Sequence, residues 1–401
     1  MHILLLNEYF PPDTSATAKM AATVVEALAQ RHRVTVLAGR PSYDPTETYP
    51  WRLLRRDTHR NITVERVGST TFPRFKMRRR VTNYLTYVAL AVPRAIAIRA
   101  DVILAMTDPP FAGIVGAFIS KLTGRPLIYN IRDLYPDMAL HGEIMTSPFG
   151  IRMWDALHRR ALRRANRVIV LGDDMRDRII RKAVDPNRIV VVRDGATVPP
   201  DLPSAENPIS QQIRSGFRFV ALHAGNLGFY GAWDTLLEAA RRLNNPSDAG
   251  LGIVFVGEGA QKARLAASAN GASTVRFLPF RPSSEIPFVL AAGDVHIITI
   301  RKGLEGVIVP SKLYPVLAAG KPVLAVSTPG TDVARIVTQA GCGIVADPDN
   351  PQAVADAIRS LAANPERVAE MGRRARAIAP SYDKLLELRH FVAAVEGIAH
   401  E

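Results

Sequence analysis

The chain has 401 residues, 47% apolar and 22% charged, with one cysteine and a formal net charge of +14. This balance excludes disorder, collagen and coiled coil as the main architecture, and a lone Cys342 excludes a disulfide framework or a cysteine zinc cluster. The length allows two or three domains, and no apolar run reaches the roughly 18 residues of a membrane span.

HILLLN (2–7) has no charged segment before it and reads as a buried first strand, not a signal peptide. A helical pattern follows over 16–31, then the apolar runs RVTVLAG (33–39), DVILAM (101–106), PLIYNI (126–131) and RVIVLG (167–172). FVALHAG (219–225), GIVFVG (252–257), VHIITI (295–300) and PVLAV (322–326) repeat the pattern, with helical segments between them. Strands apolar at nearly every position are buried on both faces, and their alternation with helices makes βαβ units. The expected fold is α/β: two doubly wound Rossmann-like domains facing across a cleft. The Pro-rich stretch VPPDLPSAENP (198–208) marks the junction. It divides an N-terminal domain, 1–198, from a C-terminal domain, 209–381, and leaves a last helix, 382–401, to pack back on the first.

The charge is uneven. Residues 1–200 hold 31 Lys+Arg against 18 Asp+Glu, and residues 201–401 hold 20 against 19. The densest parts are WRLLRRDTHR (51–60) and RFKMRRR (74–80), the latter running into the apolar VTNYLTYVALAVPRAIAI (81–98). A basic cluster joined to an apolar helix suits an anionic membrane surface. The helix itself is either a core element or part of that surface. Arg74, Lys76, Arg78, Arg79 and Arg80 are the membrane-facing candidates.

P-loop, HExxH, GxSxG and EF-hand patterns are absent. Gly257-Glu258-Gly259 starts a dinucleotide fingerprint but has Lys262 where the last glycine belongs, so a tight strand-to-helix turn is the simpler reading. Asp347-Pro348-Asp349 reads as a turn and helix cap, and no metal site is expected. His2, His223 and His296 sit in apolar strands as packing residues. Two segments carry chemistry. Arg301–Pro322 leaves a strand through Glu305 and Gly306 to Ser311, Lys312 and a helix start, where backbone N–H groups, a hydroxyl and an exposed ammonium suit a phosphate. An ordinary helix start with a capping serine explains the spacing equally well. Asn130-Ile-Arg132-Asp133-Leu-Tyr135-Pro136-Asp137 follows a strand's carboxyl end, where Asp133 is placed to accept a proton or a hydroxyl, or to pair with Arg132.

With these segments in view, the chain resembles family 4 glycosyltransferases of the GT-B fold, and among them bacterial surface-polysaccharide transferases of the colanic-acid and O-antigen type. NEYFPPDTSATAKM with GRPSYDP, NIRDLYPDMA, HAGNLG with WDTLLEAA, FVGEGAQKARL and VPSKLYPVLAAGKPVLA match in order. The resemblance implies a retaining, metal-independent transfer from a nucleotide-sugar, UDP-sugar preferred and GDP-sugar possible, with no further cofactor. It implies Glu305 and Asp133 as catalytic residues. Lys312, Ser311, Gly306, Arg301, Gly225, Asn226 and Gly228 face the donor diphosphate. Arg276, Phe277, Pro279 and Arg281 lie at the nucleobase, and Ser15, Thr17 and Arg132 on the acceptor side. The acceptor implied is a polyprenyl-diphosphate-linked glycan, at the cytoplasmic face of the plasma membrane. Two positions depart from the pattern. Pro315 stands where a ribose-binding Glu is usual, and Asn226 and Tyr230 replace a basic pair. A sugar-nucleotide epimerase and a basic nucleic-acid-binding protein are the rival readings. Missing RRM, helix-turn-helix and zinc signatures weigh against nucleic acid as a partner.

Overall fold

The computed structural model describes residues 1–42, 49–73, 76–141, 147–201, 203–204, 206–243 and 245–400. They form two compact units. Unit 1 comprises Met1–Leu171, Met175–Val192 and Leu388–Glu401; unit 2 comprises Gly172–Asp174 and Arg193–Glu387.

Unit 1 is built on an eight-stranded sheet. Its strands are β1 (His2–Leu6), β2 (Arg33–Ala38), β3 (Leu54–His59), β4 (Ile62–Val67), β5 (Val102–Ala105), β6 (Leu127–Asn130), β7 (Arg167–Val170) and β8 (Ile189–Val191), in the order β3-β4-β2-β1-β5-β6-β7-β8. All pairings are parallel except β3 with β4. Its helices are α1 (Ala16–Leu28), α2 (Met77–Ala97), α3 (Ala112–Thr123), α4 (Asp137–His141) and α5 (Pro148–Arg164), and α6 (Asp173–Ile180) begins in the unit 2 residues. The central strands are buried at nearly every residue, as their continuous apolar runs require. One core lies between the sheet and α1, with Phe391, Val395 and Ile398 of the last helix packed into it. Ser15 starts α1 as its N-cap, its Oγ accepting the Ala18 amide at 3.1 Å.

The β3–β4 hairpin carries the basic 51–60 stretch, which the sequence shows only as charge. Three of the four arginines in that stretch are paired: Arg55 with Asp57 (2.6 Å), Arg56 with Glu65 (2.8 Å) and Arg60 with Glu26 (2.7 Å). Much of that apparent excess is therefore internally matched.

Unit 2 is built on six parallel strands: β9 (Phe219–Ala224), β10 (Leu251–Val256), β11 (Val275–Leu278), β12 (Val295–Thr299), β13 (Val323–Val326) and β14 (Gly343–Ala346), in the order β11-β10-β9-β12-β13-β14. The helices are α7 (Pro208–Arg214), α8 (Trp233–Arg242), α9 (Lys262–Ala269), α10 (Ile286–Ala292), α11 (Leu313–Ala318), α12 (Asp332–Ala340), α13 (Pro351–Ala362), α14 (Pro365–Ile378) and α15 (Lys384–Glu396), the last of which continues into unit 1. Strand order reverses between β9 and β12, and in doubly wound sheets a ligand crevice opens at the carboxyl ends of such a pair.

A buried charge cluster fixes α11 and α12 in this unit. Arg193 reaches Asp332 through Nε (3.2 Å) and Nη2 (3.1 Å), and Asp173 through Nη2 (2.7 Å). Asp332 is 2% exposed. Arg193 also lies over the Tyr382 ring, which packs against Tyr314 of α11 at 5.5 Å. Asp332→Ala leaves a half-buried guanidinium with one carboxylate fewer. It is expected to cost about 3 kcal/mol, read as a lowered urea midpoint; an unchanged midpoint would show that Asp173 alone satisfies Arg193.

Candidate functional site

The unit 2 site is assembled where β9 and β12 end. β9 runs into Gly225, whose φ of +140° lies in the region favouring glycine. Space matters as much there: a Cβ on Gly225 would stand 2.0 Å from Cε of Lys312. The Lys312 side chain therefore crosses the strand end, and burial alone lowers its ammonium to about 8. The side chain is half-buried between the Gly225 turn and Tyr230, and it lines the cavity described below. Its Nζ lies 6.0 Å from the Tyr230 ring centroid, and Asn226 Nδ2 donates to Tyr230 Oη at 2.8 Å. Asn226 and Tyr230 thus pair with each other beside the one lysine.

The Gly225 amide donates to the Val256 carbonyl at 2.8 Å, continuing the ladder, so it is not an open donor for a diphosphate. Gly225 contributes room, not an N–H. Gly228 likewise underlies Tyr230, where a Cβ would fall 2.7 Å from the ring. Gly257 and Gly259 serve the same turn: their Cβ atoms would meet the Gly225 and Leu227 carbonyl oxygens at 2.1 and 2.4 Å. The partial dinucleotide fingerprint is the close packing of two strand-end loops.

Beneath Lys312, His223 is fully buried, edge-on to Trp233 at 4.9 Å. Burial and the nearby ammonium hold its pKa down to about 3, so it stays neutral. His296 has the same fate through burial, with Nε2 2.9 Å from the Leu290 carbonyl. Both histidines are packing residues, as their strands imply.

Glu305 sits in the 301–312 loop with Oε1 accepting from the Gly303 amide (3.0 Å) and Thr328 Oγ1 (2.9 Å). Gly303 and Gly306 hold φ of +90° and +66°, and the Arg301 amide donates to the Tyr230 carbonyl at 2.7 Å. That bond ties the 301–312 loop to the 225–232 loop after β9. Ser311 does not cap α11. Lys312 occupies the cap position without a side-chain bond, and Ser311 is exposed. The helix has six residues, and Pro315 removes one of its first N–H groups, so the helix start is a weak anion site and the ammonium is the main one.

A cavity of about 150 Å³ extends from Lys312 and Gly225 past Pro315, His296 and Ile286 to Phe280 and Arg281. Of the residues expected at the base, Arg281 lines it. Phe280, between the expected Pro279 and Arg281, stands at its rim, 64% exposed. Arg276 and Phe277 do not join it. Arg276 spends its guanidinium on the Ile213 and Ser215 carbonyls and over the Phe217 ring at 4.8 Å. Phe277 stacks on Phe255 at 4.9 Å in the core. Pro279 follows β11 in the same turn.

In unit 1 the corresponding reversal lies between β1 and β5, where the Glu8 amide donates to the Asp108 carbonyl at 2.9 Å. Glu8 and Asp13, in the segment after β1, and Asn130, which ends β6, are buried; of these only Asn130 falls in a segment that the sequence singles out for chemistry. Asp133 and Arg132 lie half-buried in the loop after β6. Tyr135 of that loop stacks on Trp154 at 5.8 Å, and burial with the Asp133 and Asp108 carboxylates drives its phenol far above the usual range. Ser15 is committed to capping α1, which leaves Thr17, half-buried, as the hydroxyl nearer the surface. Lys76, Arg78 and Arg79 are exposed at the start of α2. Arg80 is half-buried and its charge acts on Tyr135, so it faces the loop after β6; Arg74 lies outside the described residues. Among the described residues no cluster of potential metal ligands occurs.

Two doubly wound units, each with polar groups gathered at a strand-order reversal, define the GT-B architecture. Residues 15–195 match the model of a glycosyl transferase 4-like domain, and residues 207–378 match that of glycosyl transferases group 1. The chain belongs to the family 4 glycosyltransferases and is a glycosyltransferase of the GT-B fold. The probable glycosyltransferase WbjE of Pseudomonas aeruginosa is 26% identical over 348 residues, 82% of this chain and 84% of that one. The putative colanic acid biosynthesis glycosyl transferase WcaI of Escherichia coli K12 is 24% identical over 418 aligned positions, 99% of this chain and all of its own. Anabaena Alr3699/HepE in complex with UDP-glucose shares the fold with a TM-score of 0.69 at 19% identity, covering 99% of this chain and 100% of that one.

Proposed function

We propose that this glycosyltransferase moves a sugar from a nucleotide-sugar to a polyprenyl-diphosphate-linked glycan in surface-polysaccharide assembly, with retention and without a metal ion. Lys312 is the observation that carries the donor half: a half-buried, largely desolvated ammonium with no carboxylate partner among the described residues, at the carboxyl ends of a doubly wound sheet. As the donor's glycosidic bond breaks, charge collects on the leaving diphosphate, and a fixed cation stabilises it without reorganisation. In this reading the ammonium supplies the charge a divalent ion would otherwise bring. Glu305 contacts the donor sugar and Asp133 receives the acceptor hydroxyl. The apolar cavity with Phe280, Arg281 and Pro315 takes the base and ribose, so ribose is held by shape where a carboxylate is usual. The UDP-glucose complex of Anabaena Alr3699/HepE supports UDP over GDP, and the colanic acid named for WcaI supports a polysaccharide product. Retention is what membership of the family implies. A lipid-linked acceptor places the enzyme at the inner face of the plasma membrane, with Lys76, Arg78 and Arg79 toward anionic lipid.

A thermal-shift panel of UDP- and GDP-sugars tests the donor. A ligand at about 100 times its Kd adds about 2.7 kcal/mol to the folded state, a shift of a few degrees. No shift with any nucleotide-sugar would sink the reading. Epimerised sugar formed without acceptor would point to an epimerase, and salt-dependent DNA or RNA affinity in place of donor binding to a nucleic-acid partner. The anomer of the product and its yield in EDTA decide retention and metal independence.

A further inference from the structure

Unit 1 turns an apolar surface outward that neither its core nor the strand-end residues use. α3 is the middle helix of a layer, packed against α2 on one side and α5 on the other. Leu85 projects from α2, Phe118 and Leu122 from α3, and Met153 and Leu157 from α5, each between 45 and 57% exposed. Residues four apart on a helix share a face, so α3 and α5 each present a continuous stripe. The inner faces are the reverse of an ordinary surface helix. α2 buries Asn83, which accepts from the Phe72 amide at 3.0 Å, and Tyr87, which donates to the Leu37 carbonyl at 2.8 Å. α3 turns Gly113 and Gly116 inward, and a Cβ on Gly113 would overlap the Tyr129 ring at 2.1 Å. Close approach to the sheet needs the small residues inside and sends the bulky ones out. Single exposed leucines are common on proteins; stripes on three adjacent helices mark a docking face.

Charge selects the occupant. α2 and α3 contain no Asp or Glu, and the single carboxylate of α5, Asp155, turns to Lys182 (2.6 Å) and Arg159 (2.6 Å). Arg78, Lys121, Arg152, Arg160 and Arg163 are exposed on the same three helices. A second copy paired through this face would set cation against cation, which disfavours a two-fold dimer. Single-stranded nucleic acid prefers stacked aromatic platforms to aliphatic stripes. A bilayer of anionic phospholipid satisfies both features: apolar side chains sink to the headgroup boundary while arginines meet phosphates. Among the described residues no helix is long and apolar enough to cross a membrane, so the contact is interfacial.

We propose, resting on the lipid-linked acceptor read above, that the outer face of the α2–α3–α5 layer docks on an anionic phospholipid surface. Tyr84 of α2 packs with Tyr9 and with Ala18 in the first turn of α1, so the docked layer carries the acceptor-side residues with it.

The test is co-sedimentation of the full chain with vesicles of phosphatidylglycerol and phosphatidylcholine, against phosphatidylcholine alone, at low salt. The natural chain is expected to bind only the anionic vesicles. Phe118→Ser with Leu122→Ser should weaken that binding by about tenfold or more, with the melting temperature and the UDP-sugar thermal shift unchanged. Because Cys342 is buried, Leu122→Cys accepts an environment-sensitive fluorophore selectively, and its emission should shift to the blue on anionic vesicles. Three results would overturn the proposal: no vesicle binding, binding indifferent to the serine pair with the label left in water, or a dimer that the serine pair dissolves. A chain that binds vesicles as expected but shifts with no nucleotide-sugar would instead overturn the donor reading and leave the docking face standing.

Discussion

Replacing Lys312 with methionine is expected to weaken nucleoside diphosphate binding about 100-fold while leaving the fold at least as stable as before. The two effects have one cause. The Lys312 ammonium is lowered to about 8 from 10.5, because desolvation strips its water and no carboxylate among the described residues replaces it. Between those two values the unfolded chain holds a proton that the folded chain has released. Stability therefore rises as pH climbs from about 8 to 10.5, and below 8 the fold bears the whole cost of the desolvated cation. At about 1.4 kcal/mol per pH unit that cost is at most about 3.5 kcal/mol, and partial solvent contact reduces it. Methionine fills the same path over Gly225 without a charge and removes the cost. A diphosphate provides the counter-charge the protein withholds, and a charge-assisted contact in a low-dielectric site is worth the roughly 2.7 kcal/mol of a 100-fold change. Titration calorimetry with UDP at pH 7 measures it. The same experiment on the natural chain should show proton uptake near pH 8 and affinity falling above it, by up to about tenfold per unit. Equal affinity for the methionine variant, or a flat pH profile, would remove Lys312 from the diphosphate site.

The residues that were legible in the sequence are those whose role is local. β1, β6, β9 and β12 announce themselves as apolar runs, and Lys312 and Glu305 as polar residues in a loop that leaves a strand. What stayed hidden depends on partners far along the chain. LRRDTH (54–59) is exposed almost throughout and has no apolar period, so β3 looks like a basic loop; its antiparallel partner β4 makes it a strand. Whether Arg276 points to a ligand or to the α7 carbonyls is decided by register with β10, which composition does not encode. Gly225 resembles a phosphate-loop glycine, yet its backbone is engaged and its missing Cβ is the contribution. The apolar segment 81–98 suggests burial by its composition, but the buried face of α2 is drawn from Asn83, Tyr84, Tyr87, Ala91 and Ala95, and Leu85 faces out. The +14 charge is reshaped in the same way: Arg55, Arg56 and Arg60 are matched by carboxylates, while Arg78, Lys121, Arg152, Arg160 and Arg163 stand exposed on three adjacent helices.

Glu305→Ala is expected to lower turnover by about 100- to 1000-fold in a chain that still folds, the range found when one transition-state electrostatic contact is removed. Alanine alone does not say why, because the carboxylate both carries charge and shapes its own loop. Its Oε1 receives the Gly303 amide and Thr328 Oγ1, and Gly303 holds a positive φ that the turn requires. Two further variants separate the roles. Glu305→Gln keeps an oxygen acceptor for both bonds and discards the charge. Thr328→Val keeps the charge and discards one bond, at about 1 kcal/mol of stability. A carboxylate acting on the sugar makes glutamine nearly as slow as alanine, with the loss in kcat, and leaves the valine variant within a few-fold of normal. A carboxylate acting only on the loop gives the opposite order: glutamine near normal, valine impaired, and alanine raising KM for the donor as the turn loosens. Initial rates with the donor found in the thermal-shift panel distinguish the two. The glutamine variant is decisive, since near-normal turnover there confines Glu305 to holding the 301–312 loop and moves the search for the sugar-contacting charge elsewhere in the site.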